Sequence, residues 1–306
     1  MAIPVIAVMV PLVAPSQAPP PGRIRVEVNL VTIIASVLGP NGQPASELPK
    51  EAFEVYEEGV RQKLAVFEAE TQQPLDLALM VDSSLSTLKE SSFEREAAAH
   101  FIRQVVRAGD RLAVFGFADA VTQLTEFSSD VPLLQSAVRH IEPGAGTALY
   151  DAVYLGSQAL SRRAAGRRRV LVLVTDAGET TSHAHFETAR RAAVRGEAML
   201  YTIVIRAVKS ESGRNTAGEH ALETITETAG GAMYYPDNPS ELESIFERID
   251  RELRTQYRLG YYPQPSPPDR SYRHVEIRLN LPGTAGGQSG HTLHYRKGYF
   301  TAGALE

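Results

Sequence analysis

The chain has 306 residues, 43% of them hydrophobic and 22% charged, which is ordinary globular composition and enough length for one large or two ordinary domains with a buried core. That composition excludes disorder, collagen and coiled coil as the main state. Thirty-one Lys plus Arg against 36 Asp plus Glu leave a net charge of −5, so no general field draws in nucleic acid or an anionic membrane, and no nucleic-acid partner is expected. With no cysteine, disulfides, thiolate nucleophiles, Fe–S clusters and Cys-based zinc sites are ruled out.

In residues 1–21 an apolar stretch, Ile3 to Val13, is followed by Ser16-Gln17-Ala18. This is the shape of a secretory signal, although no Lys or Arg precedes the apolar run, and it predicts an exported protein: periplasmic, cell-surface or secreted. The run is far shorter than the roughly 20 residues of a spanning helix, so no transmembrane helix is expected in the mature chain. After the linker Pro19-Pro20-Pro21-Gly22, Ile24 to Leu38 alternates as a strand, with Val26, Val28 and Leu30 on one face. Gly39-Pro40-Asn41-Gly42 marks a turn. Phe53, Val55 and Tyr56 lead to Glu58-Gly59, and Leu64 to Phe67 is predicted as a second hairpin arm.

From Pro74 the rhythm changes. Apolar runs at Leu75–Val81, Leu112–Phe117, Val170–Val174 and Met199–Ile205 alternate with helical stretches at 91–107, 131–140, 149–163, 184–195 and 219–229. Strands buried on both faces and separated by helices indicate a doubly wound, Rossmann-like, mostly parallel α/β sheet. Val121 to Phe127 fits an antiparallel edge. The last helix, Ser240 to Leu253, opens on Ser240 and Glu243, the pattern of a capping box. Beyond Arg254 alternation returns around Tyr257, Leu259 and Tyr261, then Val275, Ile277 and Leu279, then Leu293, Tyr295 and Tyr299, predicting a three-strand meander. Neither flank is stable alone, so the economical arrangement pairs them into one β-sandwich carrying the α/β unit as an insertion. The implied division is a signal segment 1–21, β domain 22–70, α/β domain 71–254, β domain 255–301 and a tail 302–306.

The first buried strand runs into Asp82-Ser83-Ser84-Leu85-Ser86, placing oxygen-bearing side chains at Asp82, Ser84 and Ser86 at the carboxyl end of a parallel strand, where such sheets hold their ligands. Alone, the pattern is weak and more often means a serine-rich helix start. Two further features add to it: Gly144-Ala145-Gly146-Thr147 opens a helix, and strand Val170–Val174 ends in Thr175-Asp176-Ala177-Gly178-Glu179. Two carboxylates and three hydroxyls from three loops make an all-oxygen set suited to a hard divalent cation, above all Mg²⁺. Only two formal charges come from the protein, so a bound metal stays electrophilic and keeps a position for a carboxylate from outside.

Asp82-x-Ser84-x-Ser86, Thr147 and Asp176, in that order and in those loops, resemble the metal-ion-dependent adhesion site of von Willebrand factor type A domains over about residues 75–253. The resemblance implies that Ser84, Ser86 and Thr147 are direct or near-direct ligands of Mg²⁺, or of Mn²⁺ or Ca²⁺, with Asp82 and Asp176 acting directly or through water. It also implies a non-enzymatic module whose protein partner offers Asp or Glu to the metal, and a last helix that shifts on ligation. The flanks Val26–Val31, Phe53–Gly59 and Arg296–Phe300 are similar to bacterial, often acidobacterial, VWFA-related proteins. One departure is Ala177-Gly178 where the family has Gly directly after the aspartate.

The alternative functions are a cell-envelope assembly protein whose metal only ties loops, and a metal-assisted hydrolase with Glu179 as general base. No nucleophile and base pair and no phosphate-cradling Gly-Lys-Ser/Thr loop accompanies Glu179. His183 and His185 could rim the site, but residues two apart at a helix start do not share a face. Arg162, Arg163, Arg167, Arg168 and Arg169 form a basic patch at the edge opposite the metal, expected as a solvated loop. Tyr234-Tyr235 and Tyr261-Tyr262 could be contact surfaces or core.

Overall fold

The computed structural model describes residues 30–69, 71–85, 91–205, 215–266, 271–281 and 290–301. The signal-like segment 1–21 and the first part of the Ile24–Leu38 strand pattern lie outside these residues.

The N-terminal strands are β1 (Val31–Leu38), β2 (Phe53–Glu57), β3 (Val60–Gln62) and β4 (Leu64–Glu68). Glu58 and Gly59 take left-handed backbone angles, φ 48° and 77°, the twist that a two-residue hairpin between β2 and β3 needs. That hairpin corrects the expectation for Leu64–Phe67: β3 is the second arm, and β4 crosses to the other sheet.

The α/β unit follows as β5 (Leu75–Asp82), α1 (Ser91–Val105), β6 (Arg111–Phe117), β7 (Val121–Gln123), α2 (Val131–Arg139), α3 (Leu149–Ser161), β8 (Arg168–Thr175), α4 (Phe186–Arg195), β9 (Ala198–Val204), α5 (Thr216–Ala229), β10 (Met233–Tyr234) and α6 (Leu242–Arg254). Its six strands lie in the order β10-β9-β8-β5-β6-β7, parallel except for β7. Every residue of β5 is buried, because alternate side chains meet different helix layers. Leu75, Leu77, Leu79 and Val81 pack with α1, α2 and α6, while Ala78 and Met80 pack with α3, α4 and α5. This two-sided burial makes the strand read as an unbroken apolar run. The capping box predicted for α6 is absent: Pro239–Glu241 form a 3₁₀ turn, and the helix begins with no side-chain cap.

The chain closes with β11 (Tyr257–Tyr261), β12 (Tyr272–Leu279), β13 (Thr292–Tyr295) and β14 (Gly298–Phe300). They build no meander. β11 and β13 join the sheet β13-β1-β11-β4, whereas β12 and β14 join β14-β12-β2-β3. The two antiparallel sheets share one core, with Ile33, Val37, Phe53, Val55, Tyr257, Leu259 and Ile277 among its residues, so the N- and C-terminal segments do form a sandwich.

The sandwich meets the amino ends of the parallel strands. Tyr201 Oη donates to Glu252 Oε1 (2.7 Å), and His294 Nδ1 lies 2.9 Å from the same oxygen, tying α6 to β13. Gly230, at φ 87° after α5, sits so close to the sandwich that a Cβ there would lie 2.0 Å from the Tyr295 carbonyl carbon. Glycine is thus required on both steric and conformational grounds.

Candidate metal centre

The parallel sheet reverses its direction of winding beside β5, and the loops following β5 and β8 open there, at the carboxyl edge where doubly wound sheets bind ligands. Asp82 ends β5 and is 3% exposed. Its Oδ1 accepts the Ser84 N–H at 2.9 Å, and its Oδ2 accepts the Thr175 hydroxyl at 2.6 Å. Ser84 is buried and bridges to Gly144, so the loop after β5 is fastened to the loop that carries Thr147. Ser86 lies outside the described residues.

Thr147 is 4% exposed and is held from both sides. Its N–H donates to Thr180 Oγ1 (2.8 Å), and its carbonyl accepts the Thr180 N–H (2.9 Å). One turn earlier, both oxygens of Asp119, on the β6–β7 hairpin, accept the N–H groups of Ala145 and Gly146 at 2.8 Å each. Asp176 accepts the Gly178 N–H at 2.8 Å. A Cβ on Gly178 would stand 2.9 Å from Asp176 Oδ1 and 3.3 Å from Thr147 Oγ1, so these oxygens flank one small space. Asp82, Ser84, Thr147 and Asp176 are therefore brought to one place.

The departure at Ala177 has a physical reading. Its φ is 64°, the left-handed region in which glycine is unstrained and alanine is not. Ala177 thus takes a glycine-like conformation with a methyl group in place, and that side chain is buried against the α3, α4 and α5 layer.

Burial pushes the Asp82 carboxyl up to about 6, and the like charge of Asp176 adds to the rise against the hydrogen bonds from Thr175 and Ser84. No cationic side chain touches Asp82 among the described residues. A buried carboxylate beside a second one, with hydroxyls of Ser84 and Thr147 at hand, is a donor set that fits a hard divalent cation. No group of three or more His, Cys, Asp or Glu stands together among the described residues, so any cation here depends on hydroxyl ligands.

Neither the histidines nor Glu179 joins the cluster. His183 is 94% exposed and leans on Asp151, and His185 is exposed just before α4. Glu179 Oε2 accepts the Tyr150 N–H (3.1 Å) and the Ser182 hydroxyl (2.6 Å), and its Oε1 accepts the Ser182 N–H (2.9 Å). Its carboxylate thus caps the start of α3, where the helix dipole favours it. Sequence reasoning missed Asp119, Thr175 and Thr180. Thr175 had a signal, since it sits beside Asp176; Asp119 had none beyond its place in a turn after a buried strand.

A von Willebrand factor type A domain model matches residues 77–179, which span β5 through the Asp176 loop. The chain contains a von Willebrand factor type A domain. The fold continues past the matched residues through α6. No curated protein matches the chain. Among solved structures, a von Willebrand factor type A protein from Catenulispora acidiphila is 11% identical, with a TM-score of 0.52, over 92% of this chain and 76% of that one. The pilus adhesin SpaC from Lactobacillus rhamnosus GG, in an open conformation, is 10% identical with a TM-score of 0.50, over 81% of this chain and 47% of that one. At these identities the likeness is one of fold. The first of these covers nearly all of the chain, sandwich as well as type A domain. No helix among the described residues is long and apolar enough to cross a membrane.

Proposed function

We propose that this type A domain is an exported, non-enzymatic, divalent-cation-dependent protein-binding module. Asp82, Ser84, Ser86, Thr147 and Asp176 would hold Mg²⁺, or Mn²⁺ or Ca²⁺, and a partner's Asp or Glu would complete the coordination. The observation that carries the reading is Asp82, a buried carboxylate with no cationic neighbour among the described residues and with Asp176 adding like charge. Such a group is costly unless a cation is supplied. We place the module at 71–254, inserted between sandwich segments 22–70 and 255–301, with 1–21 as the signal segment.

The assembly reading, in which a metal merely ties loops, is less economical. Asp119 already fixes the Gly144–Thr147 loop through two backbone hydrogen bonds, and Thr180 fixes Thr147. A hydrolase using Glu179 has its base engaged at the start of α3. The test is calorimetric titration of Mg²⁺ and Mn²⁺ into chelator-treated protein, with Asp82→Ala alongside. Saturable heat in the unmutated protein and a loss of about 100-fold or more in affinity in Asp82→Ala, equivalent to about 2.7 kcal/mol, are expected. Equal binding in both proteins, or none in either, overturns the reading.

A further inference from the structure

The arginine cluster expected as a solvated loop is for the most part inside the molecule. Arg163 and Arg167 both reach Asp76, at 3.0 and 2.8 Å. Arg168 opens β8 and is 5% exposed, and Arg169 is half-buried. Only Arg162 is an exposed side chain of the expected kind.

Arg168 lies where the type A domain meets the sandwich, and its partners are all neutral. Nε donates to the Gln73 carbonyl at 2.8 Å, Nη1 to Gln256 Oε1 at 2.9 Å, and Nη1 also to the Leu253 carbonyl. Asp110, whose charge reaches Arg168, is itself bound by Arg254 at 2.8 Å. Burial, with the like charge of Arg254, lowers the Arg168 guanidinium to about 10. Arg169 likewise finds only carbonyls, those of Gly196 and Arg163, and its Nε is buried without a hydrogen-bond partner among the described residues.

Beside these groups is a cavity of about 260 Å³, lined from the type A domain by Arg168, Arg169 and Glu197 and from the sandwich segment by Gln256, Arg258 and Arg296. Arg258 pairs with Glu68, and Arg296 Nη1 pairs with Glu197 at 2.9 Å. Those two carboxylates are 42% and 57% exposed, so water screens their charge, that of Glu197 in the cavity wall included, more than it screens the arginines. Arg167 also lines the space and is neutralised by Asp76. The balance inside is positive. Arg258 already spends its fork on Glu68, through Nε and Nη2, and Arg296 gives Nη1 to Glu197 and Nη2 to the Thr32 carbonyl, but each guanidinium has five N–H donors, more than these partners use.

We propose that this cavity binds a small oxyanion, a phosphate or a dicarboxylate, which bridges the type A domain and the sandwich through Arg168, Arg296 and Arg258. The inference is independent of the metal reading, because the cavity lies at the opposite end of the sheet from Asp82.

Inorganic phosphate and malonate are titrated into the full chain in the absence of divalent cations, with sodium chloride at matched ionic strength as control. Saturable binding is expected, with a rise of about 2–4 °C in the unfolding midpoint at ten times Kd. Phosphate above malonate, or the reverse, identifies which oxyanion class the site takes. Arg296→Gln should weaken binding at least tenfold, whereas Glu197→Gln, which frees Arg296 from its carboxylate, should tighten it. Arg168→Gln should abolish binding; should that variant fail to fold, the opposed pair at positions 296 and 197 decides. Asp82→Ala should bind the anion as the unmutated protein does. Phosphate and malonate acting no differently from chloride, or binding moved by neither Arg296→Gln nor Glu197→Gln, overturns the proposal.

Discussion

Strand β5 carries two buried aspartates, one at each end, in opposite circumstances. Asp76, at the amino end, is 0% exposed and stands within 3.0 and 2.8 Å of the guanidinium groups of Arg163 and Arg167. Asp82, at the carboxyl end, is 3% exposed and is met by the hydroxyls of Thr175 and Ser84 and a backbone N–H, with no cationic side chain against it among the described residues. The same residue type on the same strand is a structural ion pair in one place and an uncompensated charge in the other. Burial alone therefore does not distinguish the two; the absence of a cationic partner is what sets Asp82 apart from Asp76.

The sharpest way to test that contrast is to remove each carboxylate in turn. Asp76→Ala leaves two partly buried guanidiniums without their anion and should cost about 3 kcal/mol or more of stability by chemical denaturation. Asp82→Asn should cost little or even stabilise the metal-free protein at pH 7, since it removes a buried charge. Equal losses in the two variants would erase the distinction.

The next effect concerns pH. Asp82 titrates near 6 in the folded chain against 3.8 ordinarily, so between these values the folded state binds more protons than the unfolded one. Its contribution to metal-free stability is present below about pH 4 and is lost as pH rises through 6. A bound cation reverses that cost, and the gain in melting temperature from added Mg²⁺ should be small at pH 5 and large at pH 7.5. A gain that does not change with pH would place the cation elsewhere.

A smaller change is expected at Asp119, where Asn in place of the carboxylate weakens the grip on Ala145 and Gly146. Mg²⁺ affinity should fall about tenfold by calorimetry, with stability down by about 1 kcal/mol. At the other end of the sheet, His294→Ala removes one bond across the joint to α6 and should lower stability by about 1 kcal/mol while leaving Mg²⁺ affinity unchanged. A change in Mg²⁺ affinity there would show that the two ends communicate through α6.

Much of this was legible in the sequence because buried parallel strands announce themselves. β5, β6, β8 and β9 were visible as apolar runs; Asp82, Ser84 and Asp176 follow from where two of those runs stop, and Thr147 from the glycine-flanked segment that opens a helix. What escaped was whatever depends on partners distant in the chain. Alternation told that Leu64–Phe67 and Val275–Leu279 are strands but not which sheet each joins, since both sheets bury the same kind of face. β3 and β10, with three and two residues, are too short for any period to show. Arg168 read as part of a polar loop because its neighbours are arginines, yet as the first residue of β8 it is carried under the sheet. Asp119 was invisible because its partners are backbone groups 26 and 27 residues away.

The chain leaves the sandwich after Glu68 and returns at Tyr257, and these two points are neighbours: Glu68 stands opposite Arg258 in the β4–β11 ladder, and the Thr71 N–H donates to the Gln256 carbonyl at 3.0 Å. The type A domain is thus grafted onto the sandwich like a bud on a stem, with its two chain connections side by side in one stalk. Such a graft can be cut away and its stumps joined by a short turn, leaving an ordinary antiparallel hairpin behind. By the same geometry a different domain with adjacent termini could be spliced into the stalk. A tug on the head is also received by β4, the edge strand of its sheet, and by β11 beside it, whose ladder must shear before the sandwich opens.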